Sequence, residues 1–251
     1  MQLQIFLRPR TKIIVVSHER SGTHFLMNTL GKCFGYIAQP WINLDQDPLN
    51  LNYFDPDTLE NFFLQFQAKP IANIVKSHHS FEFFEARLEQ ILHEFQVFYI
   101  YRDPRDVMAS FWKFLRHWKW NEGPKTETAS EFIRAEPCGQ MMRYQYRQEP
   151  SVLHRWRTHI DGWTEKVPEH LKHRVSLIRY EDLHSNFEEV IRKIGEVLGE
   201  VPISMERPSL LENVIFPSTG KIGGHRDLFN AADLEYFKEV AGPSMTHLGY
   251  F

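Results

Sequence analysis

The chain has 251 residues, 42% hydrophobic and 24% charged, with a formal net charge of −3. That length supports one large α/β domain, here 1–251, and is short for two well-cored ones. The small acidic excess excludes a broad nucleic-acid footprint, which needs a basic surplus, but leaves room for a local cationic spot that holds a small anion.

In chain order, residues 12–17 read as a buried strand, followed by a tight loop and a helix over 23–34. In that helix Leu26, Leu30, Cys33 and Phe34 recur at helical spacing. A second helix is predicted over 57–67, and further strands over 71–76 and 96–101. Asp103 followed by Pro104 is an N-cap with proline at the first helical position, and opens a helix over 104–118. Residues 121–149 are polar and carry Gly123, Pro124, Pro137 and Gly139, which reads as a lid or an insertion. A helix over 151–166, a fourth strand over 174–179 and a helix over 185–198 follow. Residues 202–224 form a long connection without strong periodicity. The strands are near-continuously apolar, as in a sheet covered on both faces, and they alternate with helices. The expected fold is a single α/β domain with a mostly parallel central sheet flanked by helices.

Cys33 and Cys138 provide neither metal-ligand spacing nor a disulfide framework. The first ten residues lack a leader-like apolar core, and no apolar run nears the roughly 18 residues of a membrane span. A soluble, cytoplasmic protein without membrane contacts is expected. With 20 Phe, aromatic content is high at 14%. It serves either an aromatic-lined pocket or a Phe-rich core.

The loop after the first strand reads His18-Glu19-Arg20-Ser21-Gly22-Thr23-His24-Phe25. A strand, a tight turn and a helix start aim several backbone N–H groups at one point, where an anion is the natural guest. Gly22 permits close approach, Arg20 adds a charge, and Ser21, Thr23 and His24 add donors. The alternative is an ordinary side-chain cap by Ser21 or Thr23. The loop lacks the lysine and first glycine of a Walker A sequence. Ligands of open α/β sheets bind beyond the carboxyl ends of the strands. Those ends carry Arg20, then Lys76 with His78 and His79, then Arg102, and finally Tyr180-Glu181-Asp182. Lys76 and His78 are two apart in an extended segment and share a side. A base beside a cation suits group transfer. His79 faces the other way, to line a pocket or to pack.

Four ordered stretches resemble the PAPS-dependent sulfotransferases, which use 3′-phosphoadenosine-5′-phosphosulfate (PAPS) as donor. Arg20-Ser21-Gly22-Thr23-His24-Phe25 is similar to the 5′-phosphosulfate loop, usually P-K-S-G-T-T-W, and Lys76-Ser77-His78 to the catalytic K-T-H. Arg102 and Ser110, eight apart, match the pair that binds the 3′-phosphate, and Tyr180-Glu181-Asp182 resembles the Y-E-D whose tyrosine contacts adenine. A fifth, looser stretch places Ser218, Thr219, Gly220 and Lys221 in the F-x-R-K-G clamp on the 3′-phosphate. Arg20 replaces the usual lysine, Phe25 the usual tryptophan, and Ser218-Thr219 the Arg-Lys pair, so that either Lys221 or Arg226 compensates or donor binding is weaker. The dimer signature of the family is poorly matched over 226–235, and the oligomeric state stays open.

The resemblance implies a P-loop-like fold and sulfuryl transfer from PAPS to a hydroxyl or amine of a small-molecule acceptor by in-line displacement, with PAP as product and no metal. His78 would be the base, and Lys76 and Arg20 would stabilise the leaving charge. Arg20, Ser21, Gly22, Thr23, His24, Phe25, Arg102, Ser110 and Tyr180 would hold the donor. Two alternatives stand beside this: a PAP- or PAPS-binding protein without catalysis, and a P-loop-type small-molecule kinase. Trp112, Phe114, Trp118 and Trp120 line an acceptor pocket or pack in the core. Asp45, Asp47 and Glu82 would suit a cationic acceptor or are solvated loop charges.

Overall fold

The computed structural model describes residues 10–44, 56–67, 71–118, 121–210 and 220–251. The elements in chain order are β1 (Lys12–Val16), α1 (Thr23–Phe34), β2 (Ile37–Asn43), α2 (Pro56–Gln67), β3 (Asn73–Ser77), α3 (Phe81–Glu85), α4 (Leu88–Glu94), β4 (Phe95–Tyr101) and α5 (Pro104–His117). They continue with α6 (Ala129–Arg134), α7 (Val152–Glu165), β5 (Val175–Arg179), α8 (Tyr180–Ser185), α9 (Phe187–Leu198) and α10 (Ala231–His247). The strands form one sheet in the order β2-β3-β1-β4-β5, and every neighbouring pair is parallel.

The alternation of side chains along each strand builds two cores. Ile13 and Val15 of β1 join Ile74, Phe98 and Ile100 on one face, beneath Leu26 and Leu30 of α1 and Ile191 and Ile194 of α9. Ile14 and Val16 join Val75, Val97 and Tyr99 on the other, beneath Val107, Phe132, Trp156 and Phe237. Both faces are covered, which is why β1 reads as an unbroken apolar run.

Local signals set the helix starts. Asp103 accepts the Arg105 N–H with Pro104 in the first turn of α5, and Ser151 accepts from His154 at α7. Capping boxes open α6 (Thr128 with Glu131) and α10 (Asn230 with Asp233). The predicted helix over 185–198 is α9, and a short separate helix, α8, precedes it across Asn186. Residues 121–149 contain α6 and a 3-10 turn, and they bury Phe132, Ile133 and Met141 in the larger core. β2 and α10 carried no strong sequence signal. Among the described residues no helix is long and apolar enough to cross a membrane. Because all strands run the same way, β1, β3, β4 and β5 deliver their carboxyl ends to one edge of the domain.

Candidate active site

Beyond Val16 the chain turns sharply. Arg20 adopts a positive φ of 67°, costly for a residue with a side chain, and Gly22 follows at 102°. A Cβ on Gly22 would lie 2.4 Å from Tyr180 Cδ2, so only glycine lets that ring pack on the loop. The N-cap of α1 is Gly22 and has no side-chain cap, contrary to the capping alternative for Ser21 or Thr23. The first-turn N–H groups, with no intrahelical acceptor, thus point outward. Thr23 Oγ1 lies 2.6 Å from Ser17 Oγ. Ser21 is fully buried and its Oγ has no hydrogen-bond partner among the described residues. A buried orphan hydroxyl beside uncapped helix donors fits an anionic oxygen cluster.

Cations stand at the same edge of the sheet. Burial, then the neighbouring Arg102, bring the Arg20 guanidinium down to about 10. Burial, then Lys76 and Arg20, bring His24 down to about 4, which keeps it neutral. Arg20, Lys76 and Arg102 stand at the carboxyl ends of the neighbouring parallel strands β1, β3 and β4. Arg20 Nε donates to Ser110 Oγ at 3.2 Å, and its guanidinium lies 5.0 Å from the Phe114 ring centroid. Ser110 is thereby joined directly to Arg20. Arg102 is buried; its Nη2 donates to the Lys221 carbonyl at 2.7 Å and sits 3.6 Å from Asp106, while its Nε has no partner among the described residues.

His78 sits just beyond β3. Its Nδ1 is 2.9 Å from the Ser17 carbonyl, which can only accept, so Nδ1 carries the proton and Nε2 is the basic nitrogen. Lys76 is buried at the end of β3, in register with Val15. His79 packs: its ring stacks on Phe83 at 3.9 Å and contacts Ser77 Oγ.

The rest of the site's lining is aromatic and backbone. Phe25 and Tyr180 are buried and meet edge to face at 6.1 Å. The Tyr180 hydroxyl donates to the Gly220 carbonyl at 2.8 Å, and its ring lies under the Arg102 guanidinium at 4.5 Å. Gly220 has a φ of 61°, and a Cβ there would meet that hydroxyl at 2.7 Å. Buried Asp106 pins the following turn by accepting the Gly223 and His225 N–H groups and His225 Nδ1. Ser218 and Thr219, like Asp45, Asp47 and Trp120, lie outside the described residues. Glu82 is engaged by Lys166 at 2.7 Å. Phe114 packs on Trp118 at 5.0 Å, and Trp112 under Arg116.

A buried polar layer lies directly behind the site. Arg155 forks onto Glu19, with Nη1 to Oε2 at 2.9 Å and Nη2 to Oε1 at 2.8 Å, and Nη1 also reaches His18 Nε2 at 2.7 Å. Burial would raise the Glu19 carboxyl, but Arg155 and then His78 outweigh it, holding it below the ordinary carboxylate range. His159 Nε2 lies 3.1 Å from the His78 carbonyl, and its Nδ1 2.8 Å from the Tyr99 hydroxyl. Neither Glu19, His18, Arg155, His159 nor Asp106 stood out in the sequence. The available signal was a polar pair at i and i+4 on the apolar face of α7.

Residues 10–221 match the sulfotransferase domain family, and the chain belongs to that family. A curated relative is sulfotransferase 2A1 of Macaca fascicularis, 23% identical over 218 residues; the match covers 82% of this chain and only 65% of that protein. Among solved structures, mouse sulfotransferase SULT7A1 complexed with PAP superposes with a TM-score of 0.63 at 19% identity, covering 94% of this chain and 85% of that one. Retinol dehydratase in complex with androsterone and PAP gives 0.61 at 19% identity, covering 95% and 81%. At these identities the superpositions show the fold.

Proposed function

We propose that this chain transfers a sulfuryl group from PAPS to a hydroxyl or amine of a small-molecule acceptor by in-line displacement. The carrying observation is that Arg20, Lys76 and Arg102 stand at the carboxyl ends of neighbouring strands, beside the loop whose buried Ser21 hydroxyl has no partner among the described residues, with the basic nitrogen of His78 at the end of β3. The solved sulfotransferase and retinol dehydratase structures that share this fold were obtained with PAP, and retinol dehydratase also with androsterone or retinol. That supports both the donor and a small acceptor.

The donor supplies an activated sulfuryl group on a phosphate leaving group. The uncapped start of α1, Ser21 and Arg20 hold the 5′ side, and Arg20 with Lys76 offsets charge on the departing oxygen. Arg102, Ser110 and the turn after Gly220 hold the 3′-phosphate, and Phe25 and Tyr180 border the adenine. His78 Nε2 takes the acceptor proton as the new S–O or S–N bond forms, and the Ser17 carbonyl keeps the ring in the required tautomer.

A PAPS-coupled screen of phenols, alcohols and amines tests this reading. Acceptor-dependent PAP release is expected, and His78→Ala lowers kcat by about 10²–10⁴-fold while PAP affinity holds. Normal turnover in that variant removes His78 from the role of base.

A further inference from the structure

Resting on that reading, we infer that Arg155 and His159, one turn apart on α7, are positioning residues that fix the donor loop and the base relative to each other. Among the described residues, their hydrogen bonds go to His18, Glu19, the Met141 carbonyl, the Tyr99 hydroxyl and the His78 carbonyl. Arg155 grips Glu19, the residue before Arg20, through two hydrogen bonds, and His18 before that through a third. His159 binds the backbone carbonyl of His78. The Ser17 carbonyl then closes the frame by binding the His78 ring.

The protons along this frame are determined. The Glu19 carbonyl takes the His18 Nδ1–H at 2.9 Å, so His18 Nε2 is the acceptor for Arg155. The His78 carbonyl takes the His159 Nε2–H, so His159 Nδ1 accepts from the Tyr99 hydroxyl. His18 and His159 are fully buried, their rings 5.6 Å apart and edge to face. Every link is therefore directional.

Packing alone does not call for such a layer. Well-packed apolar side chains of similar volume commonly stabilise a core as well as a buried ion pair does. What the polar version adds is direction: it sets where the His78 main chain and the Arg20 loop stand. Transfer is sensitive to such placement, since a misplacement of about 1 Å can cost on the order of 10²-fold in rate.

The test compares His159→Gln with His159→Phe and Tyr99→Phe in the full chain, using kcat, KM for PAPS and calorimetric PAP affinity. Glutamine keeps a donor near the position of Nε2 and is expected to retain most of kcat. Phenylalanine at 159 is expected to lower kcat by about 10- to 100-fold with KM and PAP affinity unchanged. Should that variant fail to fold, Tyr99→Phe, which removes one hydroxyl, carries the comparison with the same direction. Wild-type kcat in a folded phenylalanine variant, or PAP affinity falling in parallel with kcat, overturns the inference. If the wild-type chain releases no PAP from PAPS, it is the functional reading that fails. The positioning is then judged from the His78 ring nitrogens by ¹⁵N NMR. A wild-type Nδ1–H tautomer that becomes mixed in His159→Phe supports it, and an unchanged tautomer overturns it.

Discussion

On the proposed reading, Arg102 is the side chain that selects the 3′-phosphate. It is buried against Tyr180 and the Lys221 carbonyl, and its Nε has no partner among the described residues. Arg102→Ala is expected to weaken PAPS binding far more than binding of adenosine 5′-phosphosulfate, which lacks the 3′-phosphate. Equal losses in competition titrations remove the 3′-phosphate assignment. Gly22 is the second single-residue test. Its φ of 102° and the nearby Tyr180 ring leave no room for a methyl group. Gly22→Ala should destabilise the chain by about 1–3 kcal/mol in urea unfolding and weaken PAP binding, because the ring can yield only by displacing the cradle. Arg20 is expected to act as an anchor: even brought down to about 10 by burial and Arg102, it keeps its proton at neutral pH.

At the scale of elements, α7 is both a core helix and the carrier of the buried polar layer. Burial and then Arg155 push His18 well below its ordinary range, and burial, His18 and Arg155 do the same to His159. Once unfolded, these rings take up protons below about pH 6.5 while the folded chain does not. Stability is therefore fully present above that pH and falls as pH drops toward the folded values. Each ring contributes a slope of up to about 1.4 kcal/mol per pH unit. Melting temperatures between pH 7.5 and 5 should decline, and His159→Gln should flatten the decline; a slope unchanged by that substitution would remove His159 as a source of it. Elements of this kind were unequally legible in the sequence. The strands at 12, 73, 95 and 175 announce themselves by continuous apolar runs, and α1 and α5 by spacing and caps. β2 is an edge strand containing Pro40 and Gln39, so it has neither the run nor the alternation of a buried strand. α10 carries Pro243 in its interior and little amphipathic contrast. The strand-end cations were visible because they fall next to strand signals. The Glu19–Arg155 pair was not, since its partners are 136 positions apart and only the fold joins them.

For the molecule as a whole, the parallel sheet gathers the carboxyl ends of β1, β3 and β4 at one edge, and the loop before α1 and the turn after Gly220 meet there across Tyr180. A ligand that bridges them ties α1, α5 and α8 together, so occupancy should be felt globally. Saturating PAP at about 100 times its Kd should add about 2.7 kcal/mol to stability, read as a rise in melting temperature. The measurement that bears most directly on the site is a calorimetric titration of PAP into the wild-type chain and into Arg102→Ala, with adenosine 5′-monophosphate as the control. One PAP per chain is predicted, with affinity sharply reduced in the variant and for the control nucleotide. No PAP binding by the wild-type chain, or equal affinities across all three titrations, would contradict a site built for a doubly phosphorylated adenylate.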